Sequence, residues 1–209
     1  KKIDTGNYHS CAIKSDDTLH CWGMNSNGQL GDNSTTQRLV PTALSGGGIW
    51  KHVATGSGHS CGIKSDNTIN CWGANSGGQL GDNSTTQRLV PTAISGGGSW
   101  NQIVTGALHT CALKLGGTLR CWGGSNGQLG DGTTANMLAL MPISGGGSWK
   151  QAAAGWDHTC AIKSDDTLWC WGNNFYGQLG DNSTQSRLVP TAINGGGTWK
   201  QVATGDSYG

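Results

Sequence analysis

No segment of the chain sustains the three-and-four spacing of apolar positions that an amphipathic helix requires. The apolar residues come instead in short runs: SCAIK at 10–14, TLHCWG at 18–23, KHVATG at 51–56. These runs are rich in β-branched and aromatic residues and are bounded by Gly, Asn, Asp and Ser, a pattern that predicts short β-strands. The pattern also recurs. Trp50, Trp100, Trp149 and Trp199 close four units, 1–50, 51–100, 101–149 and 150–199, and residues 200–209 begin a fifth. Each unit passes through G-x-x-H-[ST]-C, a polar turn, CWG, GQLG(D), a segment such as RLVPTA, a GGG turn and a tryptophan. About four strands in a repeat of ~50 residues is the size of one β-propeller blade. The SGGG stretches have linker composition, but they return in fixed register and are read as turns.

Composition changes this picture little. Hydrophobic residues are 34%, low for one large core, which predicts burial shared among many small packed units. The formal net charge of +1, from 13 basic and 12 acidic residues, lacks the basic excess of a generic nucleic-acid or membrane-surface binder. No apolar run approaches the ~18 residues of a membrane-spanning helix. The first residue is Lys1, and no signal peptide precedes it in the sequence.

The motifs G-x-x-H-[ST]-C-A-[IL]-K, CWG-x-N and GQLGD, repeated over essentially the whole chain, resemble the regulator of chromosome condensation repeat family, in a secreted or surface-exposed bacterial form. The resemblance implies an all-β propeller of four-stranded blades, with four blades and the start of a fifth present, as part of a seven-bladed ring. Seven units need roughly 350 residues at this repeat length. The expectation is therefore a fragment of a longer propeller; a subunit completed by a partner or an unusual small closed ring are the alternatives.

The eight cysteines all lie in the repeated segment, as Cys11/Cys21, Cys61/Cys71, Cys111/Cys121 and Cys160/Cys170. A three-residue hairpin loop at Ser15-Asp16-Asp17 places its last residue in the left-handed region. That position is Asp17, Asn67, Gly117 and Asp166, all residue types that tolerate positive φ. The register then sets each cysteine opposite its partner, and four disulfides, one per blade, are the favoured reading. Eight buried thiols acting as small apolar residues is the alternative. Zinc fits poorly, because C-x9-C offers no close ligand pair, and there is no C-x-x-C redox motif. Disulfides would place the chain in an oxidising compartment: extracellular, cell-surface or periplasmic.

Candidate chemistry repeats too often to mark one active site. His9, His59, His109 and His158 precede the first cysteine by two residues and read as blade-packing or hydrogen-bonded histidines, not as half of a nucleophilic pair. Tyr208 holds the corresponding place in the fifth unit. Asp32, Asp82, Asp131 and Asp181 read as turn formers, since each loop carries one carboxylate and departs from the calcium-loop spacing. Asn33, Asn83 and Asn182 are N-x-[ST] acceptors. No catalytic, metal or cofactor residue is assigned, and no cofactor or nucleic-acid partner is expected.

Where the units diverge is more informative. Trp22, Trp72, Trp122 and Trp171, and the four unit-closing tryptophans, repeat and read as core between blades. Tyr8, Leu108, Trp156, Trp169, Phe175 and Tyr176 do not repeat, and loops on a rigid scaffold commonly carry function. These six are the partner-binding candidates. The predicted function is a non-enzymatic extracellular or surface scaffold for a protein or glycan partner; the alternative is a structural spacer or assembly module within a larger surface protein or filament. The rest of its own propeller or a neighbouring subunit is a further candidate partner.

Overall fold

The computed structural model describes residues 2–193 and 195–205. Tyr208 lies outside the described residues. The chain folds into four antiparallel sheets of four strands each, every sheet built from consecutive strands in up-and-down order. Blade 1 is β1 (Lys2–Thr5), β2 (His9–Ile13), β3 (Leu19–Gly23) and β4 (Arg38–Ala43). Blade 2 is β5 (Trp50–Thr55), β6 (His59–Lys64), β7 (Ile69–Gly73) and β8 (Arg88–Ala93). Blade 3 is β9 (Trp100–Thr105), β10 (His109–Lys114), β11 (Leu119–Gly123) and β12 (Met137–Pro142). Blade 4 is β13 (Trp149–Ala154), β14 (His158–Lys163), β15 (Leu168–Gly172) and β16 (Arg187–Ala192). The first strands β1, β5, β9 and β13 pack on one another in sequence and form the inner edge of the array.

The hairpin between the second and third strands explains the register of every blade. Asp17, Asn67, Gly117 and Asp166 have φ of 65, 66, 84 and 70°. The loop closes with Lys14 N–H donating to Thr18 O at 2.9 Å and Asp17 N–H donating to Lys14 O at 3.1 Å. The side chain of Asp16 accepts from Thr18 N–H and Oγ1 and braces the same turn. Cys11 then faces Cys21, with Ile13 opposite Leu19. The Cα atoms of each cysteine pair are 4.1 Å apart, the closer of the two antiparallel spacings. In the structure all eight cysteines are bridged within their own hairpins, and none is free.

Period-two alternation then gives each blade two faces. On one face of blade 1 lie Cys11, Ile13, Leu19 and Cys21, joined by Leu30 of the GQLGD loop. They pack against Trp50, Val53 and Trp72 of blade 2. Blades 2 and 3 repeat the arrangement, with Cys61, Cys71 and Leu80 under Trp100, Ile103 and Trp122. So do blades 3 and 4, with Cys111, Cys121 and Leu129 under Trp149, Ala152 and Trp171. The core is therefore not one volume but a series of layers between blades, which accounts for the modest hydrophobic content. Trp50 and Trp72 meet edge to face at 5.7 Å, and Trp149 and Trp171 at 5.9 Å. Lys64, Lys114 and Lys163 stand over Trp50, Trp100 and Trp149 at 5.3, 4.9 and 5.1 Å, sealing each layer from solvent with a cation–π contact.

The bridges sit at the floor of these layers. Each closes a sequence separation of 10 residues, for which chain-entropy arguments give about 2–3 kcal/mol, less where the hairpin persists in the unfolded chain. Replacing Cys111 and Cys121 together by Ala is expected to lower unfolding free energy by about 2 kcal/mol, read by denaturant titration under non-reducing conditions. A double variant as stable as the parent would show that the bridge constrains nothing that the hairpin does not already hold.

Candidate binding face

The connections of each blade separate cleanly. Those between first and second strands, and between third and fourth, emerge at one end of the sheet. The cysteine hairpins and the glycine-rich crossovers emerge at the other. At the first end the two loops are tied by a hydrogen bond that recurs in all four blades. Met24 N–H donates to Tyr8 O, Ala74 N–H to Gly58 O, Gly124 N–H to Leu108 O and Asn173 N–H to Asp157 O, each at 2.8 Å. The residues in which the units differ are thus mounted on a shared backbone frame.

The long loop behind CWG is itself braced. In blade 1 the Asn25 amide donates to Asp32 Oδ1 and to the carbonyls of Ser34 and Thr36, while its oxygen accepts from Leu30 N–H at 2.9 Å. Asp32 also accepts from Ser34 and from Arg38 Nε at 2.6 Å. Burial alone would raise this carboxyl, but the hydrogen bonds from Ser34, Arg38 and Asn25 and the Arg38 charge hold it below its ordinary range. Asn75, Asp82 and Arg88, and Asn174, Asp181 and Arg187, repeat the set. These aspartates are turn formers, their oxygens engaged by protein donors. Blade 3 is built differently: Ser125 and Met137 stand where the others have Asn and Arg, and Asn136 accepts from Ser125 N–H at 3.0 Å instead. Asn33, Asn83 and Asn182 lie exposed on these loops in left-handed conformation, at φ 62, 60 and 61°.

Four of the six predicted binding residues are exposed at this end. Phe175 and Tyr176 are 74% and 79% exposed, Tyr8 70% and Leu108 46%. Phe175 and Tyr176 meet edge to face at 5.4 Å, so the apolar pair is held together in solvent. Their backbone is fixed from below: Phe175 N–H donates to Asn173 Oδ1 and Tyr176 N–H to Gln178 Oε1, both at 2.9 Å, and Gln178 Nε2 donates to Asn173 Oδ1. Trp156 is half-buried at the same end, where its carbonyl accepts from Ala107 N–H and links blades 3 and 4. Trp169 is elsewhere. It lies on β15 beside the opposite hairpin, half-buried against the blade 3–4 layer, with Lys163 Nζ 3.9 Å from its ring and its indole N–H on Thr167 Oγ1. The alternation of a strand residue explains the separation, and sequence divergence alone did not reveal it. Sequence reasoning also passed over Asn173 and Gln178, whose type recurs in other units and whose bracing role only the fold exposes.

A polar cavity of about 360 Å³ opens at the inner edge beside these loops, lined among others by Asp4, Asn7, Thr55, Ser57 and Thr105. Asp4 Oδ2 accepts from Thr55 N–H and Oγ1 across the first blade boundary. Among the described residues there is no group of three or more His, Cys, Asp or Glu placed to hold a metal.

The histidines lie inside the blade boundaries. His9 Nε2 is 2.8 Å from Ser60 Oγ, His59 Nε2 3.0 Å from Thr110 Oγ1, and His109 Nε2 3.0 Å from Thr159 Oγ1. Each hydroxyl donates to the glutamine carbonyl of the preceding GQLGD: Ser60 to Gln29 O, Thr110 to Gln79 O, Thr159 to Gln128 O. With its proton committed, the hydroxyl accepts, so the histidine donates from Nε2. The same carbonyls accept the indole N–H of Trp72, Trp122 and Trp171, at 2.9, 3.0 and 2.8 Å. The H-[ST]-C, CWG and GQLGD motifs are therefore parts of one joint between successive blades. Glycine is required inside it. A Cβ on Gly81, which has φ of +71°, would sit 2.6 Å from Trp122 Nε1. Burial pushes His9 down to about 4 and His59 and His109 to about 3, and lowers His158. They are neutral joints, not acid–base groups.

Among curated proteins, no sequence matches the chain. Solved structures share its fold. Human WBSCR16 superposes with a TM-score of 0.90 at 23% identity, over 99% of this chain and 56% of that one. Prp20p from Saccharomyces cerevisiae, whose structure was described with its binding to Gsp1p and histones, gives 0.84 at 19% identity, over 93% and 50%. The ectodomain of the Physcomitrella patens receptor kinase CR4 gives 0.55 at 24%, over 82% and 40%. The chain thus spans about half the length of the structures it resembles. Two family models, both described as the regulator of chromosome condensation (RCC1) repeat, match four times each. One covers residues 1–29, 50–79, 100–128 and 149–178, the other 16–63, 66–113, 117–162 and 165–209. The matches cover each joint and hairpin described above, and the chain belongs to the regulator of chromosome condensation repeat family.

Proposed function

We propose that this chain is a non-enzymatic scaffold, working in an oxidising compartment outside the cytosol, that binds a protein or glycan partner through the loop face carrying Phe175 and Tyr176. One observation carries the reading. In a chain whose repeats are otherwise nearly interchangeable, two adjacent aromatic side chains are held in solvent by a hydrogen-bonded loop. Large aromatics cost little conformational entropy when they bind, and they dominate interface energetics. Tyr8 and Leu108 extend the apolar surface on the corresponding loops of blades 1 and 3. The four cysteine bridges support the compartment, since such pairs persist where thiols are not kept reduced. Prp20p binds proteins and the CR4 propeller belongs to an ectodomain, so both roles are compatible with the fold.

The test is a displayed peptide library and a glycan array, each probed with the parent chain and with a Phe175→Ala/Tyr176→Ala variant. Ligands selected by the parent are expected to bind the variant at least tenfold more weakly, while its melting temperature stays within about 2 °C. Ligands indifferent to both substitutions would remove this face from the function and leave the spacer role.

A further inference from the structure

The joint between blades is directional, and its two halves are exposed at opposite ends of the array. We propose that this chain associates head to tail with a second copy of itself, the outer face of blade 4 receiving blade 1 through the same joint that links blades 1 to 2, 2 to 3 and 3 to 4. The proposal does not rest on the binding role given to Phe175 and Tyr176.

Three internal boundaries define what each half looks like when engaged. The half on the preceding blade offers a glutamine carbonyl to an indole and a hydroxyl. It offers a glycine under the indole, as at Gly31, Gly81 and Gly130. It offers a second glycine covered by a leucine, Gly28 by Leu89, Gly78 by Leu138 and Gly127 by Leu188. Finally, a loop N–H donates to the carbonyl of that leucine: Asn33 to Leu89, Asn83 to Leu138, Gly132 to Leu188, at 2.9–3.0 Å.

Blade 4 presents this half uncovered. A Cβ on Gly180 would meet only its own blade's Ile193, and one on Gly177 only Ser183 O at 3.9 Å. The layer around Cys160, Cys170 and Leu179 has Val202 against it, but no tryptophan of a following blade. Blade 1 presents the other half. Leu39, the counterpart of Leu89, is 85% exposed, and Ile3, the counterpart of Val53, is 65% exposed against 9% for Val53. Trp22 and Ser10 are half-buried, whereas Trp72 and Ser60 are fully buried.

Residues 199–205 show how two copies would fit. They already lie where a first strand belongs beside blade 4. Trp199 N–H donates to Asp166 O at 2.8 Å, as Trp50 N–H does to Asp17 O at 3.0 Å. Val202 N–H donates to Gln151 Oε1, as Ala152 N–H does to Gln102 Oε1. Gln201–Thr204 and Lys2–Thr5 hold the same repeat position. In the assembly, 201–204 of one copy replaces β1 of the next, an element exposed along most of its length, and pairs with that copy's β2. Such a heterologous contact closes into a ring or extends as a filament, according to its rotation.

Light scattering on the purified 209-residue chain, over a concentration series under non-reducing conditions, tests the proposal. The expected mass is twice 21.6 kDa or a higher multiple. Leu39→Glu, on a side chain that packs on nothing in its own copy, is expected to return the mass to 21.6 kDa without loss of β-sheet circular dichroism. Trp199→Ala is expected to do the same. A mass of 21.6 kDa for the parent at every concentration up to about 100 μM overturns the proposal, and so does an oligomer that survives both substitutions.

Discussion

Unfolding free energy is expected to fall steeply as pH drops from about 6.5 towards 4, a range in which few carboxylates titrate. His9, His59 and His109 have folded pKa values of about 4, 3 and 3, below the ordinary 6.5, because burial disfavours their charged form. Protonation would place a proton on Nδ1, which in each of these rings is buried without a hydrogen-bond partner. The sign follows from linkage. The unfolded chain takes up these protons first, so stability is complete above about 6.5 and is lost as pH falls towards the folded values. Each histidine contributes up to about 1.4 kcal/mol per pH unit in that window, and the three together about 4 kcal/mol per unit at the steepest point. Asp32, Asp82 and Asp181, all lowered, add their loss only below the ordinary carboxylate value, at more acid pH. Asp157, raised by burial, acts alone with the opposite sign. Denaturant titrations at pH 7, 6 and 5 measure the slope, and His109→Gln should flatten it by about one third. A stability that is level from pH 7 to 5 would mean the imidazoles are not held neutral by the joint.

Trp122→Ala is expected to cost about 3–5 kcal/mol, the range for removing a buried large aromatic. The indole is fully buried between blades 2 and 3 and donates to Gln79 O at 3.0 Å. Trp122→Phe retains most of the apolar contact and loses the donor, so about 1–2 kcal/mol is expected. Trp22→Ala provides the internal comparison. The same residue type at the same repeat position is half-buried there, with no preceding blade against it among the described residues, and should cost less than half as much. Thermal and denaturant unfolding of the three variants measure the differences. Equal losses at 22 and 122 would show that the tryptophan acts within its own blade and not across the boundary.

The sequence made the blades legible because the hairpin is a local device. One residue at positive φ in the loop fixes the register of ten others, and Asp, Asn and Gly at that place are recognisable without a fold. The joints were less legible. That His9 faces Ser60, or that Ser60 and Trp72 converge on Gln29 O, joins residues 31 to 51 apart in the chain. Spacing within one repeat does not show which face of which neighbour they meet. The repetition of His, Trp and GQLGD argued for a structural role but not for a shared one. Leu39 and its counterparts were invisible for the same reason, since RLVP reads only as an edge strand until the adjacent loop is seen beneath it. Among the binding candidates, divergence identified Phe175 and Tyr176 together with Trp169, and only strand alternation sends Trp169 to the opposite end.

The direction of the joint has an energetic consequence. Each blade is coupled only to its immediate neighbours, so the array behaves as a one-dimensional chain of units with nearest-neighbour terms. Four blades share three boundaries, and an end blade is held on one side only. Amide exchange should therefore be slowest in β6, β7, β10 and β11, and faster at both ends. Each blade added to such a series contributes one more boundary, while closing the series into a ring supplies a boundary with no further chain to order. Cooperativity in this molecule is a matter of length and closure before it is a matter of any single side chain.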